Sequence, residues 1–141
     1  MISFDVKGVT MPDLDYDKVR KWLCEVASGY DKKTGNLNYL FCDDETILET
    51  NRKFLNHDYY TDIITFDYTH KDKLGGDLFI SLDTVRSNAE EIGQPYKQEL
   101  LRVIVHGLLH LCGINDKLPG EREIMEAEEN KALALWSSIM M

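Results

Sequence analysis

Residues 100–116 read LLRVIVHGLLHLCGIND, and this stretch decides which fold the chain can adopt. Leucine, isoleucine and valine occupy most positions from Leu100 to Leu111, so a helix here is apolar on nearly every side. Such a helix runs through a core instead of lying on a surface. The stretch therefore predicts a buried central helix. Pro95 is expected near its start, where a proline loses no helical hydrogen bond.

Three candidate metal ligands lie in this helix and in the turn after it. His106 and His110 are four residues apart and share one helix face, so their imidazoles can converge. Gly113 stands where a helix commonly ends in a left-handed residue, and a chain reversing there can return Asp116 to the same ion. Two histidines and one carboxylate leave a coordination position open for water, as in catalytic zinc sites. The sequence thus predicts a zinc site at the end of the buried helix, with metal-bound water as the nucleophile.

Other interpretations of these residues stay open. Two histidines at this spacing can also be core and surface residues that meet by accident, and ligand spacing barely distinguishes zinc from neighbouring divalent ions. Cys112 points off the ligand face, so core packing is its expected role. Glu99 is a candidate acceptor for the outward nitrogen of an imidazole.

The histidine spacing is shared with metzincin proteases, whose signature is H-E-x-x-H-x-x-G-x-x-H. The glutamate of that signature acts as general base beside the metal-bound water. Gly107 stands in its place here, so peptide hydrolysis by that route is not predicted. No other side chain in the sequence is an evident general base.

The same stretch resembles the YbeY family of bacterial metal-dependent endoribonucleases, whose signature is close to H-G-x-L-H-L-x-G-x-D-H. Residues 106–113 match every specified position. Asn115 replaces the aspartate of the signature and Asp116 its third histidine. Because aspartate is a competent zinc ligand, the metal role is carried over to Asp116.

Three upstream segments extend the resemblance. Residues 61–66, TDIITF, are similar to the family's T-D-V-L-S-F, and residues 76–81, GDLFIS, to its G-D-I-x-I-S strand. Residues 51–55, NRKFL, resemble its N-x-x-Y-R segment. Leu55 takes the place of an arginine thought to hold or cleave RNA, and a leucine cannot contact a phosphate.

The resemblance implies a single-strand-specific, metal-dependent endoribonuclease that acts in maturation of the 3′ end of 16S rRNA and in ribosome quality control. Its implied cofactor is one zinc ion, and its implied partners are single-stranded rRNA and ribosomal particles. Thr61 and Thr65, at the ends of a family-like strand, are candidates to donate hydroxyls to a substrate phosphate.

Two functions from other classes remain as alternatives. The ion can be structural, in a ribosome assembly factor that binds without cutting. The protein can also be a metallohydrolase of a small amide or phosphate ester. An endoribonuclease cuts naked RNA, whereas an assembly factor leaves it intact. A small-molecule hydrolase turns over a small substrate at a rate that added RNA does not change.

Composition fits one domain in the cytoplasm. The 141 residues are 43% hydrophobic and contain no linker, repeat or long apolar run, so residues 1–141 are predicted to form a single domain without a signal peptide or membrane span. Three widely spaced cysteines suit a reducing compartment.

The formal charge of -9 argues against binding of nucleic acid, which normally draws on clustered cations. A divalent ion with a few cations can still attract phosphate locally. The candidates for such a groove, most of them expected to be ordinary solvated residues, are Lys53, Arg86, Lys97, Arg102 and Lys117.

Hydrophobic periodicity predicts an α+β fold, with a small mixed sheet of about four strands packed against about five helices. Strands are expected at residues 2–6, 36–42, 62–67 and 77–81, and helices at 15–27, from Asp43 or Asp44 toward Phe54, at 81–92, in the central stretch and after Pro119. The polar segment 70–76 is predicted to be a loop, and His57 and His70 to be exposed.

The last helix carries many glutamates, among them Glu129, which are predicted to form a solvated face. Its inner face is expected to be lined by Ile124, Ala127, Leu133 and Trp136.

Overall fold

The computed structural model describes residues 1–56 and 61–141. Within these ranges the chain forms four strands and five helices. Their order along the chain is β1 (Ile2–Lys7), α1 (Tyr16–Ser28), β2 (Lys33–Cys42), α2 (Asp44–Phe54), β3 (Ile63–Asp67), β4 (Lys73–Ser81), α3 (Leu82–Ile92), α4 (Tyr96–Leu111) and α5 (Glu121–Met140).

The strands form one mixed sheet in the order β1-β2-β4-β3. Strands β1, β2 and β4 run parallel, and β3 pairs antiparallel with β4 at the edge. The predicted α+β fold with a small mixed sheet is confirmed. Among the described residues no helix is long and apolar enough to cross a membrane.

Helix α4 is the central helix predicted from residues 100–116. It begins after Pro95, and its buried residues include Leu100, Ile104 and Leu108. The buried hydroxyl of Tyr39 in β2 donates to the Ile104 carbonyl at 2.9 Å, which fastens the helix to the sheet. On the opposite face of the sheet, α2 closes a smaller cluster with Cys42, Ile47 and Ile64.

Three helices begin after a residue whose side chain caps the first turn. Asp43 accepts from the Thr46 amide at the start of α2, which decides between the two predicted caps. Asp15 caps α1 and Ser81 caps α3 in the same way. Each cap satisfies an amide that a helix start would otherwise leave free.

Strand β4 begins at Lys73, so the prediction of a loop over the whole of 70–76 is wrong for its second half. Leu74 is buried and Lys73 pairs with Lys33 of β2. Gly76 lies in the strand, paired with Leu37 and Asp67, and the position requires glycine because a Cβ there would lie 2.5 Å from the Phe66 carbonyl oxygen of β3. His70 is exposed as predicted, whereas His57 lies outside the described residues.

The inner face of α5 differs from the predicted one. Ile124 is 58% exposed and Ala127 also faces solvent, whereas Met125, Glu129 and Ala132 are buried. Leu133 and Trp136 pack against the core as predicted. The helix is therefore turned so that one of its glutamates enters the protein, and the predicted solvated face is wrong for that residue.

Candidate active site

Helix α4 lies so close to the sheet that one of its positions has no room for a side chain. A Cβ added to Gly107 would clash with Leu78 of β4 and would lie 2.9 Å from Ile63 of β3. Position 107 therefore faces the sheet and is restricted to glycine by packing. A metzincin-like glutamate has no space there, in agreement with the sequence-based exclusion of that mechanism.

The turn after α4 returns the chain toward the helix. Gly113 has the positive φ of +99° expected of it. The Gly113 amide donates to the His110 carbonyl at 3.0 Å and the Ile114 amide to the Leu109 carbonyl at 3.1 Å, which is the double hydrogen bond of a Schellman motif. This reversal places a carboxylate oxygen of Asp116 3.4 Å from Nε2 of His106.

His106 is held from its other side by α5. Its Nδ1 donates to Oε2 of Glu129 at 2.6 Å, since a carboxylate oxygen can only accept. The other oxygen of Glu129 accepts from Arg102 at 2.9 Å, and Arg102 also donates to the Asn130 side chain at 2.7 Å. The imidazole thus lies between two carboxylates from different parts of the chain.

His106 opens onto a cavity of about 730 Å³ between α3, α4, α5 and the start of β3. Six carboxylates and two guanidinium groups belong to its lining. The carboxylates are Asp62, Glu91, Glu99, Asp116, Glu126 and Glu129, and the guanidinium groups are those of Arg102 and Arg122. The cavity is therefore strongly acidic.

Burial and charge act in opposite directions on the His106 imidazole. Burial lowers its pKa, but the hydrogen bond to Glu129 and the charges of Glu129, Asp116 and Asp62 outweigh burial, so the pKa is raised above its ordinary value. For Glu129, burial raises the pKa, and the hydrogen bonds and charges of His106 and Arg102 overcome it and lower the pKa. The contact therefore favours the charged form of each partner over its neutral form.

Two further cavity carboxylates have raised pKa values. Burial is the largest cause for Asp62, partly offset by the charge of His106. Burial also raises the pKa of Glu99, and the nearby charges of Asp62 and Glu129 raise it further, against the effect of Arg102. Burial, together with the neighbouring carboxylates, thus disfavours the charged forms of Asp62 and Glu99, and a cation in the cavity would favour them.

The structure brings together two of the three predicted metal ligands. His106 and Asp116 face each other, whereas His110, one turn further along α4, is not among the described residues that line the cavity. In residues 1–56 and 61–141, no group of three or more histidine, cysteine, aspartate or glutamate side chains is arranged to hold a metal ion. The assignment of all three as zinc ligands stays a prediction.

The geometry of the His106–Asp116 pair is nevertheless that of two neighbouring ligands. Zinc bonds of about 2.0–2.2 Å to nitrogen and oxygen place adjacent ligand atoms of a tetrahedron about 3.4 Å apart. The observed distance from Nε2 to Oδ2 is 3.4 Å. In the neutral ring with its proton on Nδ1, the Nε2 lone pair faces a carboxylate oxygen, and either a proton or a metal ion can lie between these two acceptors. The separation of His106 and Asp116 suits two ligands of one divalent ion.

The predicted phosphate-binding residues, Thr61 and Thr65, are not among the described residues that line the cavity. Thr61 donates its hydroxyl to the Ile63 carbonyl at 3.5 Å. Thr65 is half-buried beside Gly107. Leu55 ends α2 and is 39% exposed. The threonine roles stay predictions.

The five candidate cations do not share one groove. Arg102 lines the acidic cavity, but its guanidinium is engaged by Glu129 and Asn130. Lys97 pairs with Asp13 at 3.6 Å and lines a different groove. The Arg86 guanidinium lies over the Tyr96 ring and the Lys53 ammonium over the Phe54 ring. Lys117 is exposed near Asp116 in sequence.

Sequence reasoning missed Asp62, Glu129 and Arg122. Asp62 belongs to the family-like segment TDIITF, but its position beside His106 depends on how β3 packs on α4. Glu129 follows Met125 by four residues, so both lie on the buried face of α5. A charged residue at an apolar position of the helix was the signal that could have identified it. Glu99, the predicted acceptor for an imidazole, lines the cavity, while Glu129 makes that hydrogen bond.

Comparison with known proteins identifies the family. Residues 2–137 match the family model of endoribonuclease YbeY. The chain belongs to the endoribonuclease YbeY family. The predicted resemblance is therefore confirmed over nearly the full chain.

Relatives named endoribonuclease YbeY match almost end to end. A Phocaeicola vulgatus protein is 65% identical, over 97% of this chain and 99% of its own length. A Bacteroides thetaiotaomicron protein is 60% identical, over 95% of this chain and 98% of its own. A Thermotoga maritima protein with a known solution structure shares the fold at a TM-score of 0.69 and 25% identity, covering 98% of this chain and 93% of that protein.

Proposed function

We propose that this protein is a zinc-dependent endoribonuclease that cuts single-stranded RNA at the cavity beside His106. The endoribonuclease class follows from the YbeY family, to which the chain belongs. The observation that carries the metal part of the proposal is the His106–Asp116 pair, whose 3.4 Å separation suits two ligands of one ion. No observation favours a non-cutting assembly factor or a small-molecule hydrolase.

His106, His110 and Asp116 are the proposed zinc ligands. A zinc ion bound there would acidify a water molecule and neutralise negative charge on a phosphodiester. The acidic lining supports this assignment, because a substrate phosphate would otherwise meet six carboxylates. His110 lies one turn after His106 on α4 but is not among the described residues that line the cavity.

Asp62 is the proposed carrier of a proton in the reaction. Its carboxylate lines the cavity, interacts electrostatically with His106 and has a raised pKa caused mainly by burial. A carboxylate with its pKa moved toward neutrality accepts and returns a proton near physiological pH more effectively than an ordinary one. Asp62 would thus act as the general base, a role for which the sequence alone offers no evident residue.

Arg122 is the proposed contact for a substrate phosphate. It lies in the first turn of α5, lines the cavity and is exposed. Among the described residues it has no ion pair, unlike Arg102, which is held by Glu129. Thr61 and Thr65 are the proposed hydroxyl donors, and Leu55, in the place of the family's arginine, supplies no cation.

The proposed place of action is rRNA maturation in the cytoplasm. The substrate is the 3′ end of 16S rRNA, presented by ribosomal particles, and the same activity serves ribosome quality control. This part of the proposal rests on the family resemblance, and the acidic cavity with one exposed arginine is compatible with a strand delivered by a larger particle.

The deciding experiment incubates zinc-reconstituted protein with end-labelled single-stranded RNA and a matched duplex. We expect the wild type to cut the single strand, and His106→Ala and His110→Ala to lose both zinc retention and cleavage. The exposed His70→Ala variant is the matched control and should behave as the wild type. Cleavage by His110→Ala at the wild-type rate would remove that residue from the ligand set, and intact RNA in every lane would overturn the proposed activity.

A further inference from the structure

Helix α5 contributes to the site through one buried carboxylate. The Glu129 residue is 8% exposed, and its Oε2 lies 2.6 Å from Nδ1 of His106. A buried charged group of this kind requires specific partners, because leaving it unpaired is costly. Both of its oxygens have them, since Oε1 accepts from Arg102 at 2.9 Å.

The carboxylate is fixed in orientation as well as in position. The guanidinium of Arg102 spans two neighbouring side chains of α5, donating to Glu129 and, at 2.7 Å, to Asn130. One oxygen of the carboxylate accepts from Arg102 and the other from His106, and both of these residues lie on α4. The carboxylate therefore cannot rotate without breaking a charge-assisted hydrogen bond. The imidazole is consequently held by a rigid acceptor.

We propose that Glu129 is a positioning residue that keeps the proton of the neutral His106 ring on Nδ1 and so presents the Nε2 lone pair to the cavity. The proposal deepens the proposed function, since the lone pair is what a zinc ion would use. Metal-binding histidines commonly donate their other nitrogen to a carboxylate in this way, which fixes both tautomer and ring orientation.

A purely structural role for Glu129 makes different predictions. In that case its bonds to Arg102 and His106 only fasten α5 to α4, and their loss lowers stability without changing the tautomer. The two roles are separable in zinc-free protein, where the histidine tautomer is measurable without any metal. The test therefore does not depend on the activity of the loaded enzyme.

The test compares Glu129→Gln with Glu123→Gln, which removes an exposed carboxylate from the same helix. Long-range ¹H–¹⁵N spectra of zinc-free protein, recorded well above the pKa of His106, report which ring nitrogen carries the proton. We expect the Nδ1–H form in the wild type and in Glu123→Gln, and a substantial shift toward Nε2–H in Glu129→Gln. Zinc titration should give a dissociation constant about 10- to 100-fold higher for Glu129→Gln.

The outcomes separate the positioning role from the proposed metal. An unchanged tautomer with unchanged zinc affinity in Glu129→Gln would overturn the positioning role, whether or not the melting temperature falls. If the wild type bound no zinc, the proposed metal function would fail, while the tautomer in zinc-free protein would still decide the role of Glu129. A folded Arg102→Gln variant with the same tautomer shift, smaller in size, would support the anchoring by the guanidinium.

Discussion

Two of the cavity carboxylates, Asp62 and Glu99, are placed where their charge destabilises the folded protein. Asp62 and Glu99 both have raised pKa values, caused first by burial, so the folded state disfavours their ionised forms. At neutral pH such groups reduce the free energy of unfolding, because they are more easily ionised in the unfolded chain. Functional sites commonly keep charged groups in positions where they lower the stability of the folded protein.

Replacement of Asp62 by asparagine should therefore stabilise the zinc-free protein while lowering its activity after zinc is added. The folded-state pKa is raised, so the gain is present at neutral pH and shrinks as the pH falls through that pKa and the wild-type carboxyl becomes protonated. Urea unfolding at several pH values measures the gain, and RNA cleavage measures the loss. Asp72→Asn, at an exposed loop position, is the control. A destabilised Asp62→Asn at neutral pH would contradict this account.

At the scale of elements, the close contact between α4 and the β3–β4 pair determines the site. Gly107 allows the helix to approach the sheet, and the neighbouring His106 then points away from the sheet toward α5. The approach also places the start of β3, with Asp62, at the cavity. The same glycine that excludes a metzincin-like base thus brings another carboxylate to the site.

The Gly107→Ala variant should lose about 1–3 kcal/mol of stability, the usual cost of adding a methyl group to a filled core. The added Cβ would meet Leu78 and Ile63, so the loss should be partly recovered when Leu78 is shortened to valine. Urea denaturation of the two single variants and the double variant gives the coupling energy. If the double variant lost as much stability as the Gly107→Ala and Leu78→Val variants combined, the two side chains would not compete for the same space.

Local sequence predicted the elements whose determinants lie within them. The apolar run of α4, the reversal at Gly113 and the cap at Asp43 each depend on neighbouring residues, and each is present in the structure. The first half of β4 was missed because Gly75 and Gly76 resemble a loop, whereas their place in the strand depends on packing against β3 and α4.

The same distinction holds for the site. His106 and Asp116 are ten residues apart and were predicted to meet, and they do. Glu129 reaches His106 from α5, and only the rotation of that helix decides which of its glutamates turns inward. Residues brought together by tertiary packing leave little trace in one sequence, and Arg122, the proposed phosphate contact, is of this kind as well.

At the scale of the whole molecule, charge restricts how a polyanion can be bound. The chain has a formal charge of -9, and the cavity lining carries six carboxylates against two arginines. Long-range electrostatics therefore oppose the approach of RNA, and binding depends on local positive charge. With Arg102 engaged by Glu129, the exposed Arg122 is the cation of the cavity lining that can reach a phosphate.

The Arg122→Ala variant should accordingly raise KM for single-stranded RNA more than it lowers kcat, while zinc affinity stays that of the wild type. One phosphate contact contributes about 0.7 to the slope of log affinity against log salt for a single strand, so the salt dependence of kcat/KM should weaken by that amount. Arg122→Lys keeps the charge and should retain most of the slope. Lys21→Ala, exposed on α1 away from the cavity, removes a cation without removing the contact. Equal slopes for Arg122→Ala, Lys21→Ala and the wild type would mean that the strand enters this acidic cavity without help from Arg122, and that the metal alone supplies the attraction.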